Sequence, residues 1–463
     1  MTKSRLSPEK NIGIGPREEQ ELSSQKKVQA RKLKGFQDYS PENMKTRLKL
    51  MDLIRSEAGK AGFQSIATPA LEYAEILLGV GGETDKQVYR FQDNGDRDVA
   101  LRFDLTVPFA RYVAENHGTL VFPFKRLQMG DVWRAEKPQK GRYREFCQCD
   151  MDIIGLDSIE ADTEILLCIL NILNRIDFGP FTISVGHRLL LSKIINKTLG
   201  SLDASAEQEV LIIIDKLEKV GRDKVKEMLG QVPHVNSSGI DQLLEILDKA
   251  EGAGTNLETL QGLFKEDSDG LAILENLNFT VKTLSTLAKD KNGKLLIDLS
   301  IARGLGYYTG IVFETTIDQL PGFGSICSGG RYNKLVERYL NRELPGIGGS
   351  IGLDRLLAAM IELGQKTEQK SDICFVAIAE TSARAYGFSL AQHLRDAGIP
   401  TDIALKTNKL SQQFKYANRM QYPYVLTVGS MEESHSTVSL KIMETGKEIK
   451  DIPFSQVTEH LQN

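Results

Sequence analysis

At 463 residues, with 41% hydrophobic and 26% charged side chains, the chain is too long for one core and reads as two or three globular domains. No apolar run approaches the roughly 20 residues that span a bilayer, so no membrane role is expected. A net charge of −4 leaves nucleic acid open as a partner, because a local basic patch decides such binding. The five cysteines (Cys147, Cys149, Cys168, Cys327, Cys374) lack paired CxxC spacing, so reduced thiols in a cytoplasmic protein are expected rather than a metal site.

Residues 1–34 lack hydrophobic periodicity and hold nine basic residues against four acids. A disordered basic arm is expected there, and the acids and the missing apolar stretch argue against a targeting peptide. From Gly35 the chain becomes patterned. Leu48, Met51, Leu53, Ile54 and Ala58 fall at helical spacing, and Gly59 to Gly62 end that helix. A strand ending at Pro69, a helix over Leu71–Leu78, a hairpin from Gln87 to Phe103 and a helix beginning near Val107 follow. Strands are expected over Thr119–Met129, Val132–Glu136 and Glu145–Ile154, then a helix over Ile159–Ile176. Strands and helices mixed without a βαβ repeat predict an α+β domain, an antiparallel sheet with flanking helices. The Leu-, Lys- and Glu-rich stretch of about 189–289 reads as a helical insertion in that domain. After it, Leu296–Ser300, Ile311–Thr316 and Gly324–Cys327 read as strands and Gly349–Leu363 as a glycine-led helix. The first domain thus covers 35–365, and the polar residues 366–371 form a linker. Strand Ile373–Ala379, helix Ser382–Ala397, strand Thr401–Ala404, helix Leu410–Met420 and strand Tyr424–Val428 predict a small α/β domain over 372–463.

Three segments carry chemistry. Between Lys125 and Phe146 seven basic residues face three acids, and Arg134 and Arg142 flank the turn Pro138–Gly141, where both can converge on one phosphate. Phe146 follows, able to stack on a purine. Beyond it Gln148, Asp150 and Asp152 alternate and share one sheet face. Burying such a row is costly without a partner, and a polar ligand would supply one; solvated charges on a surface hairpin are the bland alternative. In Ile301–Glu314 (IARGLGYYTGIVFE), Arg303 precedes Tyr307 and Tyr308 in a stretch apolar enough to be buried, so it needs an anion, from a ligand or from a structural acid. The glycine pair of Ser328–Tyr332 (SGGRY) allows close backbone approach. Gly348–Arg355 (GGSIGLDR) places Arg355 at a helix start.

In this order the segments resemble the three motifs of class II aminoacyl-tRNA synthetases: the helix and strand ending at Pro69, then VWRAEKPQKGRYREF, then GGSIGLDRLL. Together with LRFDLT (Leu101–Thr106), REFCQCDMDIIG and RGLGYYTG, the chain resembles the histidyl-tRNA synthetase family from about Gly35 to its end. Its C-terminal domain is similar to that family's anticodon-binding domain. The resemblance implies a homodimer that uses ATP with Mg²⁺ to activate L-histidine and then charges tRNA-His. It places Arg134 on the α-phosphate with Glu136 and Arg142 assisting, Phe146 on the adenine, and Arg355 on the opposite face near the γ-phosphate. Asp104 and Thr106 would hold the α-amino group, with Leu105 between them also counted among the histidine-binding residues. Gln148, Asp152, Tyr307, Tyr308 and Tyr332 would line the histidine pocket, and Arg303 would act with Arg134 as a catalytic arginine. Neutral imidazole offers one donor and one acceptor, so Asp152 accepting and a tyrosine donating would reject an apolar isostere by ~10⁴-fold. No metal ligand and no general base is assigned. Gly306 stands where many members carry aspartate, and Lys137 where bacterial-type members carry arginine, which loses bidentate geometry. The rival is the non-charging regulatory subunit of ATP phosphoribosyltransferase. Such paralogues typically lack the C-terminal domain and lose motif residues, whereas Arg134, Arg303, Arg355 and that domain are all kept here.

Overall fold

The computed structural model describes residues 28–79, 87–139, 141–249, 257–289, 291–302, 308–365 and 371–462. Most of the expected arm, Lys140, most of the linker and, of the candidate site, Arg303, Gly306 and Tyr307 lie outside the described residues. Two compact units divide between Gln365 and Lys366. Among the described residues no helix is long and apolar enough to cross a membrane.

In the first unit, helix α1 (Pro41–Lys60) starts at Ser40, whose hydroxyl accepts from Asn43 N, with proline at the first helical position. Its apolar period buries Leu50, Ile54 and Ala58. Strand β1 is only Gln64–Ser65. The helix expected over Leu71–Leu78 is instead strand β2 (Leu71–Tyr73) followed by a four-residue helical turn. Pairing with β4 decides this, because alternation buries Glu72 to meet Arg111 at 2.8 Å. Strands β3 (Arg90–Gln92) and β4 (Asp98–Leu101) form the expected hairpin and complete a three-stranded sheet in the order β2-β4-β3. Helix α2 (Thr106–Asn116) follows.

The two strands expected between Thr119 and Glu136 are one, β5 (Phe124–Trp133). Gly130 does not interrupt it, because the Arg102 guanidinium packs where a side chain would stand. β5 pairs antiparallel with β6 (Glu145–Ile154) over its whole length. Helix α3 (Ile159–Ile176) is capped by Ser158 and has the bounds that its periodicity predicts. Strand β7 (Phe181–His187), absent from the sequence expectation, leads into the helices of the insertion, which run from Arg188 to Leu287. Then come β8 (Gly293–Ile297), β9 (Ile311–Ile317), β10 (Cys327–Arg331), β11 (Gly346–Gly352) and helix α4 (Leu353–Glu362).

Three of those bounds correct the sequence reading. β8 begins earlier than Leu296, β10 begins where a strand was expected to end, and the glycines ahead of α4 form a strand rather than a helix. Side-chain pattern cannot report a glycine strand, and close packing explains this one. A Cβ on Gly348 would overlap the Asp152 carboxylate, and one on Gly329 would overlap the Gly348 carbonyl. The eight-stranded sheet runs β1-β5-β6-β11-β10-β9-β7-β8, antiparallel through its centre with parallel pairs at both edges.

The second unit has its own core. Strands β12 (Cys374–Ile378), β13 (Thr401–Ile403) and β14 (Tyr424–Val428) pair in parallel and alternate with helices α5 (Arg384–Asp396) and α6 (Leu410–Arg419), close to expectation. The antiparallel hairpin β15 (Thr437–Ile442) and β16 (Glu448–Pro453), not foreseen, extends the sheet.

Candidate active site

Two adjoining cavities open on the face of the large sheet formed by β6, β11 and β10. The larger, about 330 Å³, is lined by Arg134, Glu136, Arg142, Phe146 and Arg355 together with glycines and small polar residues. The smaller, about 90 Å³, is lined by Asp104, Thr106, Asp150, Asp152, Tyr308 and Tyr332, and it shares Arg134, Gln148, Ser328 and Ser350 with its neighbour.

The β5–β6 hairpin fixes the arginines of the larger cavity. Its turn closes through reciprocal backbone bonds between Gln139 and Arg142, and Gly141 takes the left-handed conformation there, with φ +70°. Arg134 donates from Nε to the Phe103 carbonyl at 2.9 Å, and its guanidinium lies 5.1 Å from the Phe146 ring centre. Arg355 donates to the Phe323 carbonyl. The residue before it, Asp354, is buried and anchors the start of α4. It accepts from Cys147 N at 2.6 Å, from Arg47 Nε at 3.2 Å and from the Tyr39 hydroxyl. Arg47 also reaches Asp131 at 3.0 Å. Helix α1 is thereby tied to β5, β6 and α4, a clasp for which the sequence offered no signal beyond the aspartate next to Arg355.

In the smaller cavity Gln148, Asp150 and Asp152 share one face of β6, as their alternation predicts, and all are buried. Gln148 Nε2 donates to Ser350 Oγ at 2.8 Å, and the Tyr332 hydroxyl donates to Asp152 Oδ1. That hydroxyl has a single proton, so Tyr332 is not the donor to an imidazole nitrogen that the sequence reading allowed for. Asp104 Oδ1 accepts from Val107 N at 3.1 Å at the start of α2. Leu105 is wholly buried and contributes its carbonyl, which accepts from Arg126 Nη2 at 2.9 Å.

Arg126 is the residue that sequence reasoning missed. It is 0% exposed, with Nε 3.0 Å from Asp152 Oδ2 and its guanidinium 4.4 Å from the Phe109 ring centre. The signal was present in the hairpin register, which pairs Arg126 with Asp152 and Gln128 with Asp150. Burial pushes Asp104 up to about 6, against the Val107 hydrogen bond and Arg134. It pushes Asp150 up to about 7, with Arg126 opposing and Asp152 adding. Asp152 is raised by burial against Arg126 and the Tyr332 bond, and Tyr332 itself is raised well above its usual range by burial and by Asp152. Among the described residues, Asp104 Oδ2, Gln148 Oε1, Asp150 Oδ1 and, despite its ion pair with Arg126, Asp152 Oδ2 have no hydrogen-bond partner. Buried acceptors in that condition suit a ligand rich in N–H donors. Among the described residues no group of three or more His, Cys, Asp or Glu is arranged to hold a metal ion.

Comparison with known proteins gives the geometry a context. Residues 35–356 match the family model of histidyl-tRNA synthetase, and residues 372–463 match an anticodon binding domain. A histidine–tRNA ligase from Rhodopirellula baltica is 43% identical over 92% of this chain and 96% of its own length. One from Helicobacter pylori is 39% identical over 92% of this chain and 97% of its own. The crystal structure of histidyl-tRNA synthetase from Nostoc sp. PCC 7120 superposes with a TM-score of 0.81 at 29% identity, covering 94% of this chain and 99% of that one. An ATP phosphoribosyltransferase regulatory subunit/histidyl-tRNA synthetase from Bacillus halodurans superposes at 0.72 over 84% of this chain and 97% of that one; at 23% identity it shows a common fold alone. The chain belongs to the histidyl-tRNA synthetase family.

Proposed function

We propose that this chain is a histidine–tRNA ligase, joining L-histidine to ATP as histidyl-adenylate and passing the histidyl group to the 3′ end of tRNA-His. The observation that carries this reading is the meeting of the two cavities at Arg134 and Gln148. An amino acid in the smaller cavity, its ammonium toward Asp104 and Thr106, directs its carboxylate at the α-phosphate of a nucleotide in the larger one.

In the first step the carboxylate oxygen attacks the α-phosphorus and pyrophosphate leaves. Arg134, fixed in place by the Phe103 carbonyl, meets the charge that builds on the α-phosphoryl oxygens, and Arg303 is assigned to the same task. A guanidinium fixed as Arg134 is needs no reorganisation at the moment of reaction. Phe146 and Arg355 hold the adenine, and Arg142 the phosphates. Glu136, the carboxylate of that cavity, would help hold a Mg²⁺ ion brought in with the triphosphate, and the ion would supply charge neutralisation there. In the second step the terminal ribose hydroxyl of the tRNA attacks the adenylate carbonyl.

Asp152 and Tyr308 line the end of the pocket that receives the imidazole, and Tyr307 precedes Tyr308 in sequence. Arg126 and Tyr332 hold the Asp152 carboxylate in one orientation. The second unit reads the anticodon, the enzyme is a homodimer joined through the α1–β1 segment, and it works in the cytoplasm. Incubating the purified chain with ATP, labelled histidine and tRNA tests the reading. Histidine esterified to tRNA-His is expected, and label that never becomes acid-precipitable would overturn it.

A further inference from the structure

The smaller cavity contains more carboxylate than its assigned readers use. Asp104, Asp150 and Asp152 line it at 4%, 2% and 2% exposure, and the buried cation among them is Arg126. That arginine leans toward Asp152, at 3.0 Å, and comes only within 3.9 Å of Asp150. Asp150 sits between Gln148 and Asp152 on the same strand face, and its Oδ1 has no hydrogen-bond partner among the described residues. Ser350, its register partner on β11, accepts from Gln148. Tyr332 gives its proton to Asp152.

We propose that Asp150 is a specificity-determining residue of the amino-acid pocket, hydrogen-bonding one nitrogen of the substrate imidazole while Asp152 takes the other. The proposal deepens the ligase reading and rests on it. Its chemistry follows from the charges enclosed. Four carboxylates, the substrate's own included, against Arg126, Arg134 and the substrate's α-ammonium leave one negative charge in a narrow cavity lined by buried groups, which is costly. One added proton removes it. That proton lies between Asp150 and the imidazole, so a carboxyl O–H meets a bare nitrogen or a carboxylate meets an imidazolium N–H. Histidine binding at pH 8 therefore takes a proton from solvent. The charged and titratable groups facing Asp150 are Arg126, Asp152, Arg102, Asp104, Tyr332, Cys327 and, on its own strand, Cys149. Burial has already pushed Asp150 up to about 7, which eases the uptake.

Titration calorimetry of the full chain with L-histidine at pH 8, in buffers of different ionisation enthalpy, counts the protons. The wild type should take up most of one proton per site and Asp150→Asn almost none. In histidine-dependent ATP–pyrophosphate exchange, Asp150→Ala should raise the KM for histidine about 100-fold and leave that for ATP within about twofold. No uptake by the wild type, or an alanine variant with unchanged histidine KM, overturns the proposal. Both KM values rising together with a lower Tm would make Asp150 structural and overturn it too. If the alanine variant does not fold, the proton count of the isosteric asparagine variant decides. Histidine activated with Asp150 indifferent sinks the proposal alone, whereas no activation of histidine by the wild type sinks the ligase reading with it.

Discussion

Asp354→Asn tests the clasp that ties α1 to the nucleotide end of the site. The Asp354 side chain is 1% exposed and accepts three hydrogen bonds, from Cys147 N, Arg47 Nε and the Tyr39 hydroxyl. Asparagine keeps one acceptor oxygen and puts an NH₂ group in place of the other, so a donor faces a donor at one end of the clasp. Removing one partner of a buried ion pair costs about 3–5 kcal/mol. Here Asp131, 3.0 Å from Arg47, keeps part of the compensation, which favours the lower end, about 3 kcal/mol. With an unfolding entropy of about 2.1 cal/mol/K per residue over a unit of roughly 365 residues, that is a Tm lowered by about 4 °C. Function should follow unevenly. Asp354 holds the backbone between Phe146 and Gln148 and starts the helix that carries Arg355, so the KM for ATP should rise about tenfold and that for histidine less. Thermal unfolding and pyrophosphate exchange with each substrate varied measure both effects. A Tm within about 1 °C of the wild type, with an unchanged KM for ATP, would refute the reasoning. Asp131→Asn, at the half-exposed end of the clasp, should cost under about 1 kcal/mol.

Gly348→Ala forces a methyl group into the Asp152 carboxylate; the KM for histidine should rise about 10- to 100-fold with little change for ATP, and an unaffected variant would contradict the packing. Asp150 is raised above the usual carboxylate range, so from about pH 4 to pH 7 the native state binds more protons than the unfolded chain and its contribution to stability falls as pH rises. His187, lowered to about 4 by burial, works in the opposite direction between about pH 4 and 6.5. Comparing wild type with Asp150→Asn isolates the first effect: the variant should gain in relative Tm between pH 5 and 8, and a gap independent of pH would count against it. Deleting Ser371–Asn463 should spare adenylate formation and cripple tRNA charging, since each unit has its own core; full charging by the truncated chain would remove the second unit from the mechanism.

Sequence disclosed most where local pattern and packing agree. The apolar period of α3 and its Ser158 cap fix both ends of that helix, and the alternation of Gln148, Asp150 and Asp152 put them on one buried face. It failed where partners decide. Leu71–Tyr73 has a helical pattern, yet strand pairing with β4 claims it. β11 is mostly glycine, so the reason it is a strand, the Asp152 carboxylate lying against it, is written on another segment. Arg126 looked like one of seven basic residues until the hairpin register set it opposite Asp152. Asp354 and Arg47 meet across 307 positions of sequence. No local rule reaches that far.

The central claim is that the smaller cavity selects histidine for adenylation. Amino-acid-dependent ATP–pyrophosphate exchange, run with the purified chain and each of the twenty amino acids in turn, measures it most directly. Exchange with histidine and with none of the others is the predicted result, whereas exchange driven by another amino acid, or by none, would contradict the account.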